Sequence, residues 1–198
     1  MARIPVDERR AQLLEAAMRV VARDGVAAAT TRRIAAEAGI SLGIVHYAYR
    51  SKNELLGDVA LAATQQLVAA AVDSIEPGAG IRDNLRRAVR AIMDIAESDP
   101  EAQLALYELT TFCLRDAGLA AVATAQYAGY VVACREVLAA LASAAGVRFR
   151  ANLDVLARLL ETVVDGGMLA WLTDRDTAST QAALDLFIDY LEILARES

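Results

Sequence analysis

Residues 30–56 read TTRRIAAEAGISLGIVHYAYRSKNELL, and this stretch decides how the rest of the chain is read. It holds the only histidine, His46, the only lysine, Lys52, and two of the six tyrosines, Tyr47 and Tyr49. Thr30 has the side chain a helix N-cap needs, and Ile34, Ala35 and Ala38 then share one apolar face. Gly39 breaks that helix. Ser41 can cap the next one, Leu42 to about Tyr49. Ser51-Lys52-Asn53-Glu54 is a capping box that starts a long helix reaching about Ile75. Two short helices joined by a tight glycine turn are the layout of a helix-turn-helix.

Upstream, Asp7 is a candidate cap for a first helix running to about Asp24. Leu13, Leu14, Ala17, Val20 and Val21 give it one apolar face, and Gly25 ends it. Downstream, Glu76 to Gly80 is the clearest loop. Further helices are expected over about Ile81–Glu97, Pro100–Leu114 with Asp99 as cap, Leu119–Ala145, Asn152–Leu172 and Ala178–Arg196. No strand alternation or internal repeat stands out. The expected fold is all-α with about nine helices: a three-helix head, residues 1–52, on a larger helical bundle, residues 53–198.

The chain has 198 residues, 56% of them hydrophobic and 23% charged, enough for a substantial core and unlike a disordered chain. The net charge of −6 speaks against nucleic acid, but it is unevenly placed. Residues 1–56 carry nine Lys/Arg against six Asp/Glu, a net +3, and residues 57–198 carry eleven against twenty, a net −9. The opening MARIPVDERR lacks the apolar run of a signal peptide, and the apolar run Val137–Val147 is too short to span a bilayer. The expectation is a cytoplasmic protein with no membrane partner. Cys113 and Cys134 have no CxxC partner and read as buried free thiols.

The last two helices are apolar on two sides, where a monomer's surface helix needs one stripe. The ordinary second partner is another copy of the chain. Leu159, Val163, Gly166, Leu184, Phe187, Ile188 and Leu191 are the candidate dimer interface, against the alternative of central helices in a monomer.

A helix that reads DNA must lie close to it, so small residues and hydrogen-bond donors belong at its start. Ser41 can cap or donate to a phosphate. Gly43 costs helix stability but permits close approach. Leu42 and Ile44 can touch thymine methyls, and His46 and Tyr47 offer a ring N–H and a phenol O–H. Lys52 adds charge at the start of the next helix, Thr31 and Arg32 can reach the backbone, and Arg32 can reach a guanine edge. Each has an ordinary reading too: a surface histidine, a glycine that permits packing, Tyr49 as core. Their order and spacing carry the argument.

Those residues resemble the DNA-binding head of TetR-family transcriptional regulators, whose pattern is roughly T-x-x-x-I-A-x-x-A-G-V-S-x-G-x-[LI]-Y-x-[HY]-F-x-[SN]-K-x-x-L. The likeness covers residues 9–56. It implies a homodimeric repressor that binds a pseudo-palindromic double-stranded operator and is released by a small-molecule effector, with no cofactor. Carried over, Thr31, Tyr47 and Lys52 would anchor phosphates, and Arg32, Leu42 and Ile44 would read bases. His46 stands where the family often has Tyr, Ala48 where a polar residue is common, and Tyr49 replaces the usual Phe. The segment GIVHYAYRSKNELL, with Asp165-Gly166 and Trp171, is also similar to the choline-responsive repressors of the betaine pathway.

Polar residues on otherwise apolar helices are the candidates for an effector pocket: Tyr107, Glu108, Thr111, Cys113, Tyr127, Tyr130, Cys134, Asp165 and Trp171. Tyr127 and Tyr130 lie one turn apart. With Glu108 or Asp165 and Trp171 they can hold a cation by charge and ring. An enzyme is not expected: the sole histidine lies in the head, and no Ser/His/Asp, Cys/His, Glu-x-x-His or P-loop arrangement is visible. A helical adaptor that binds only protein would leave the basic head and His46-Tyr47-Lys52 without a purpose.

Overall fold

The computed structural model describes residues 5–197. Met1–Ile4 and Ser198 lie outside the described residues, and with them the first part of the MARIPVDERR segment. Among the described residues there are nine α-helices: α1 (Val6–Asp24), α2 (Thr31–Glu37), α3 (Leu42–Ala48), α4 (Lys52–Asp73), α5 (Ile81–Ser98), α6 (Pro100–Arg115), α7 (Ala120–Ala145), α8 (Leu153–Asp174) and α9 (Thr177–Leu194). The all-α expectation holds, with helix limits within a few residues of those read from the sequence. One feature is new. Two three-residue strands, β1 (Val147–Phe149) and β2 (Ala195–Glu197), pair antiparallel, with Arg148 opposite Arg196. Three residues are too few to show alternation, and the partner strand is remote in sequence.

The chain divides into two compact units. Unit 1 comprises residues 1–63 and 99–127, and unit 2 comprises residues 64–98 and 128–198. In unit 1 the head does not close on itself. Leu13, Val20, Ile34, Val45, Tyr49, Leu55 and Leu56 share one core with Ala105, Leu109 and Cys113 of α6, then Leu119, and Ala123 of α7. Burying side chains of this size stabilises a fold by roughly 1.5–3 kcal/mol each, so α6 belongs to the head's packing.

Capping follows the sequence at most ends. Thr30 accepts a hydrogen bond from the Arg33 N–H at 3.2 Å. Asp99 accepts from the Ala102 N–H at 3.0 Å, ahead of Pro100. Ser51 accepts from the Glu54 N–H at 3.1 Å, but Glu54 reaches one residue further back than expected, to the Arg50 N–H at 2.9 Å. Asp7 is not a cap: α1 starts two residues earlier than that role allows, at Val6, with Pro5 as N-cap and Asp7 in the first turn. There its charge suits the helix dipole.

In unit 2, the buried Asn84 ties down the loop after α4. Its Oδ1 accepts from the Glu76 N–H at 2.9 Å, and its Nδ2 donates to the Glu76 carbonyl at 3.0 Å. Arg86 pairs with Asp185 at 3.0 Å and Arg82 pairs with Asp189, fastening α5 to α9. Leu156, Leu160, Met168 and Trp171 of α8 and Leu184, Ile188 and Leu191 of α9 are buried. The three α9 residues were assigned to a dimer interface from the sequence, and the structure corrects this. They are core within one chain. The face of α9 left outside carries Leu186, 73% exposed, Tyr190 and Ile193, 69% exposed. On α8 the outer face carries Val155, Leu159, Gly166 and Leu169, while Val163 and Phe187 are half-buried.

Among the described residues two helices, α4 and α7, are long and apolar enough to cross a bilayer by length and composition, which the sequence reading did not notice. Both contribute to the packing described above: Leu55, Leu56 and Val59 of α4 and Val137, Leu138 and Leu141 of α7 are buried.

Candidate nucleic-acid interface

The turn between α2 and α3 sets the geometry. Gly39 takes φ +67°, a left-handed conformation that a side chain disfavours. The Ile40 N–H bonds back to the Ala35 carbonyl at 3.0 Å and the Gly39 N–H to the Ala36 carbonyl at 3.1 Å. This is a Schellman closure, and Ile40 packs against the core as that motif requires. The chain reverses in three residues, and Ser41, extended at φ −74° and ψ 149°, launches α3. The Ser41 hydroxyl makes no capping bond; its carbonyl accepts from the Ile44 N–H at 3.0 Å instead.

The short helix α3 has one inward face and one outward face. Val45 and Ala48 are buried, and so is Tyr49 just beyond the helix. Ser41, Gly43, His46 and Tyr47 are exposed, Tyr47 by 60%. Leu42 and Ile44 are half-buried, and Leu42 leans on the core, which limits how far it can reach a base. From α2, Arg32 is exposed and Thr31 half-buried. Of the nine residues assigned to DNA, Arg32, Ser41, Gly43, His46 and Tyr47 are exposed, and Thr31, Leu42, Ile44 and Lys52 are half-buried. Lys52 differs in what covers it. That side chain is half-buried, with its ammonium 5.5 Å from the centre of the Phe112 ring on α6, and burial lowers its pKa.

A Cβ built on Gly43 would come no nearer than 4.0 Å to any other group, the Ser41 hydroxyl. Nothing in the chain's own packing requires a glycine there. That removes the tight-packing explanation.

Two charge clusters behind the interface were not seen in the sequence. Asp24 and Glu37 take up three arginines: Arg19 meets Glu37 at 3.1 Å, Arg23 meets Glu37 at 3.1 Å and Asp24 at 2.9 Å, and Arg33 meets Asp24 at 2.9 Å. Hydrogen bonding to these guanidinium groups holds both carboxyls below their ordinary range: Arg23 is the largest cause for Asp24 and Arg19 for Glu37. Across α1 and α4, Arg10 pairs with Glu54 at 2.5 Å and lies 4.5 Å over the Tyr49 ring. The Tyr49 hydroxyl donates to Asp58 at 3.0 Å, and burial, then that bond, pushes the phenol up to about 12. Four of the head's cations are thus spent on orienting α1 against α2 and α4. Arg32 and Arg50 are exposed and make no ion pair among the described residues.

Of the effector candidates, Tyr107, Glu108, Thr111, Cys113 and Tyr127 belong to unit 1, and Tyr130, Cys134, Asp165 and Trp171 to unit 2. Cys113 lies fully buried in the unit 1 core, as the buried-thiol reading expects. Thr111 and Glu108 are exposed; Glu108 faces Gly25 across a shallow cleft of about 280 Å³ lined also by Arg23, Asp24, Glu101 and Leu104. Tyr107, Tyr127 and Tyr130 are half-buried. Trp171 is occupied at the α8–α9 corner: its Nε1–H donates to Thr177 at 3.0 Å and Arg175 stacks on its ring at 4.5 Å.

The sequence reading missed Glu161, which is only 5% exposed. Burial raises its pKa, Arg158 at 3.7 Å opposes that, and Asp165 one turn on adds to it. The Cys134 thiol is pushed up to about 12 by burial and then by the Glu161 charge. The signal was available: Glu161 lies one turn after Ala157 on the stripe that continues to Met168.

An exposed reading helix with small and donor groups, on a helix-turn-helix whose own core positions it, defines a DNA-binding regulator. Residues 13–59 match the family described as bacterial regulatory proteins, tetR family, and residues 81–196 match the BetI-type transcriptional repressor C-terminal family. The chain is 30% identical over 191 residues, 96% of its length and 97% of the relative's, to the HTH-type nicotine-responsive transcriptional repressor HdnoR of Paenarthrobacter nicotinovorans. Among solved structures, the multidrug binding protein EbrR complexed with imidazole is 27% identical, with a TM-score of 0.66 and coverage of 92% of this chain and 94% of that one. A TetR-family regulator from Rhodococcus sp., 20% identical, shares the fold with a TM-score of 0.79, over 94% of this chain and 99% of that one. The chain belongs to the TetR family of bacterial transcriptional regulators. Members of this family bind DNA operators, act as dimers and respond to small molecules.

Proposed function

We propose that this regulator is a homodimeric repressor that grips a pseudo-palindromic operator through Thr31, Arg32, Ser41, Gly43, Ile44, His46 and Tyr47, with Lys52 as a phosphate anchor. A regulator of chromosomal DNA works in the bacterial cytoplasm. By function the chain divides near residue 52, DNA contacts before it and effector and dimer contacts after it. Packing adds residues 99–127 to the head's unit. No catalytic step is needed.

Gly43 is the observation that carries the reading. An exposed helical glycine costs about 0.5–1 kcal/mol relative to alanine, and no contact within the chain offsets that cost. Gly43→Ala is expected to raise the melting temperature while weakening operator binding. If affinity rose or stayed level along with stability, α3 would not approach DNA at that position.

For the effector, the proposal is a small organic cation. The buried Glu161 supports it, with Asp165 a turn away and only one arginine at 3.7 Å to balance it. The nicotine-responsive relative and the BetI-type body are consistent with the same class. Isothermal titration with amines and quaternary ammonium ions, repeated on Glu161→Gln, tests it. Undiminished binding to that variant would move the cation's partner elsewhere.

A further inference from the structure

Lys52 is the only lysine in the chain and the first residue of α4. A helix N-terminus repels a cation, and no carboxylate pairs with Lys52 among the described residues. Arg10, Arg19, Arg23 and Arg33 of the same unit each have a carboxylate partner. What Lys52 has is the face of Phe112, 5.5 Å from ammonium to ring centre, and Phe112 itself packs against the unit 1 core. The neighbouring Asn53 Nδ2 donates to the Gly118 carbonyl at 3.2 Å, so α6 and the turn after it hold the whole first turn of α4. On α3 the polar side chains His46 and Tyr47 are exposed, whereas Lys52 at the start of α4 is half-buried.

We propose that Phe112 stows the Lys52 ammonium in the DNA-free protein, and that an operator phosphate must take it from the ring. Phe112 thereby weakens DNA binding on every sequence and links α6 to the head's grip. The inference rests on the phosphate-anchor reading of Lys52.

Being the sole lysine makes this directly observable. Reductive methylation with labelled formaldehyde places an NMR-visible dimethylammonium on Lys52, and the labelled amino terminus resonates apart from it. In the free protein the Lys52 methyls should be shifted upfield by the ring. Operator DNA should move them downfield, and Phe112→Leu should put them downfield without DNA. Phe112→Leu should also tighten DNA binding by about two- to fivefold per half-site, the usual range for an exposed cation–ring contact, and give no gain in a Lys52→Ala background. An unshifted signal in the free wild-type protein would overturn the stowing contact without needing any variant to fold. A signal that stays upfield when operator is bound would leave the contact standing but remove both the competition and the anchor reading. Equal tightening in the Lys52→Ala background would also overturn the proposal.

Discussion

The helices α3 and α9 are built alike and finished differently. Each turns an apolar face into its own unit, Val45 and Ala48 from α3, Leu184, Ile188 and Leu191 from α9. Each leaves the opposite face uncovered. On α3 that face is glycine, a histidine and a tyrosine, beside the exposed Arg32. On α9 it is Leu186, Tyr190 and Ile193. The inner faces say how the helix is held; the outer faces say what it meets. Donors and a missing side chain suit a phosphate-bearing groove, whereas exposed leucine and isoleucine suit an apolar surface, for which a second copy is the simplest source.

The comparison is most easily broken at α9. Leu186→Glu places a charge in each half of a self-complementary interface and should weaken dimerisation by about two to four orders of magnitude, taking about 1.5–3 kcal/mol per leucine and two leucines per dimer. Sedimentation velocity reads the outcome, and an unchanged dimer would put the interface elsewhere. Next comes Arg32→Ala, which should cost about 1–3 kcal/mol of binding per half-site and relax sequence preference. Selection from a randomised operator library checks it; an unaltered motif would take base reading away from Arg32.

The smallest effects are pH responses, and they have opposite signs in the two units. In unit 1, hydrogen bonds from the Arg50 backbone and then from Arg10 lower the Glu54 pKa. Its contribution is present above the unfolded value of about 4.3 and is lost as pH falls through the lower folded value. Glu54→Gln should therefore flatten the acid limb of the stability curve. In unit 2, burial raises the Glu161 pKa. The folded state keeps a proton that the unfolded state has released, so stability falls as pH rises from about 4.3 through the folded value. Glu161→Gln should leave stability unchanged at low pH and increase it at neutral pH. Melting curves across pH test both variants, and a same-signed response would contradict the assigned causes.

Much of the head was legible because local rules dominate there. The Thr30 cap, the Gly39 reversal and the buried Tyr49 follow from a few neighbouring residues. The two-sided character of α8 and α9 was also legible, but the choice between the sides was not. Periodicity gives the angle of Leu184 relative to Leu186, not which of them meets α5 and α8. Long-range packing hid the rest. Residues 105–123 enter the head's core from far downstream of α3, so local reading could not show that the Phe112 ring lies beside Lys52. Glu161 is different: its place on the buried stripe from Ala157 to Met168 was legible, but a carboxylate is ordinarily a surface group.

In the proposed complex a dimer reads DNA with the outer faces of α2 and α3. The most direct measurement is selection of genomic fragments by the purified protein at low and at physiological salt. The account predicts a short inverted repeat that survives the higher salt and is lost in Arg32→Ala. Recovery of fragments without a shared motif, all released at physiological salt, would contradict it.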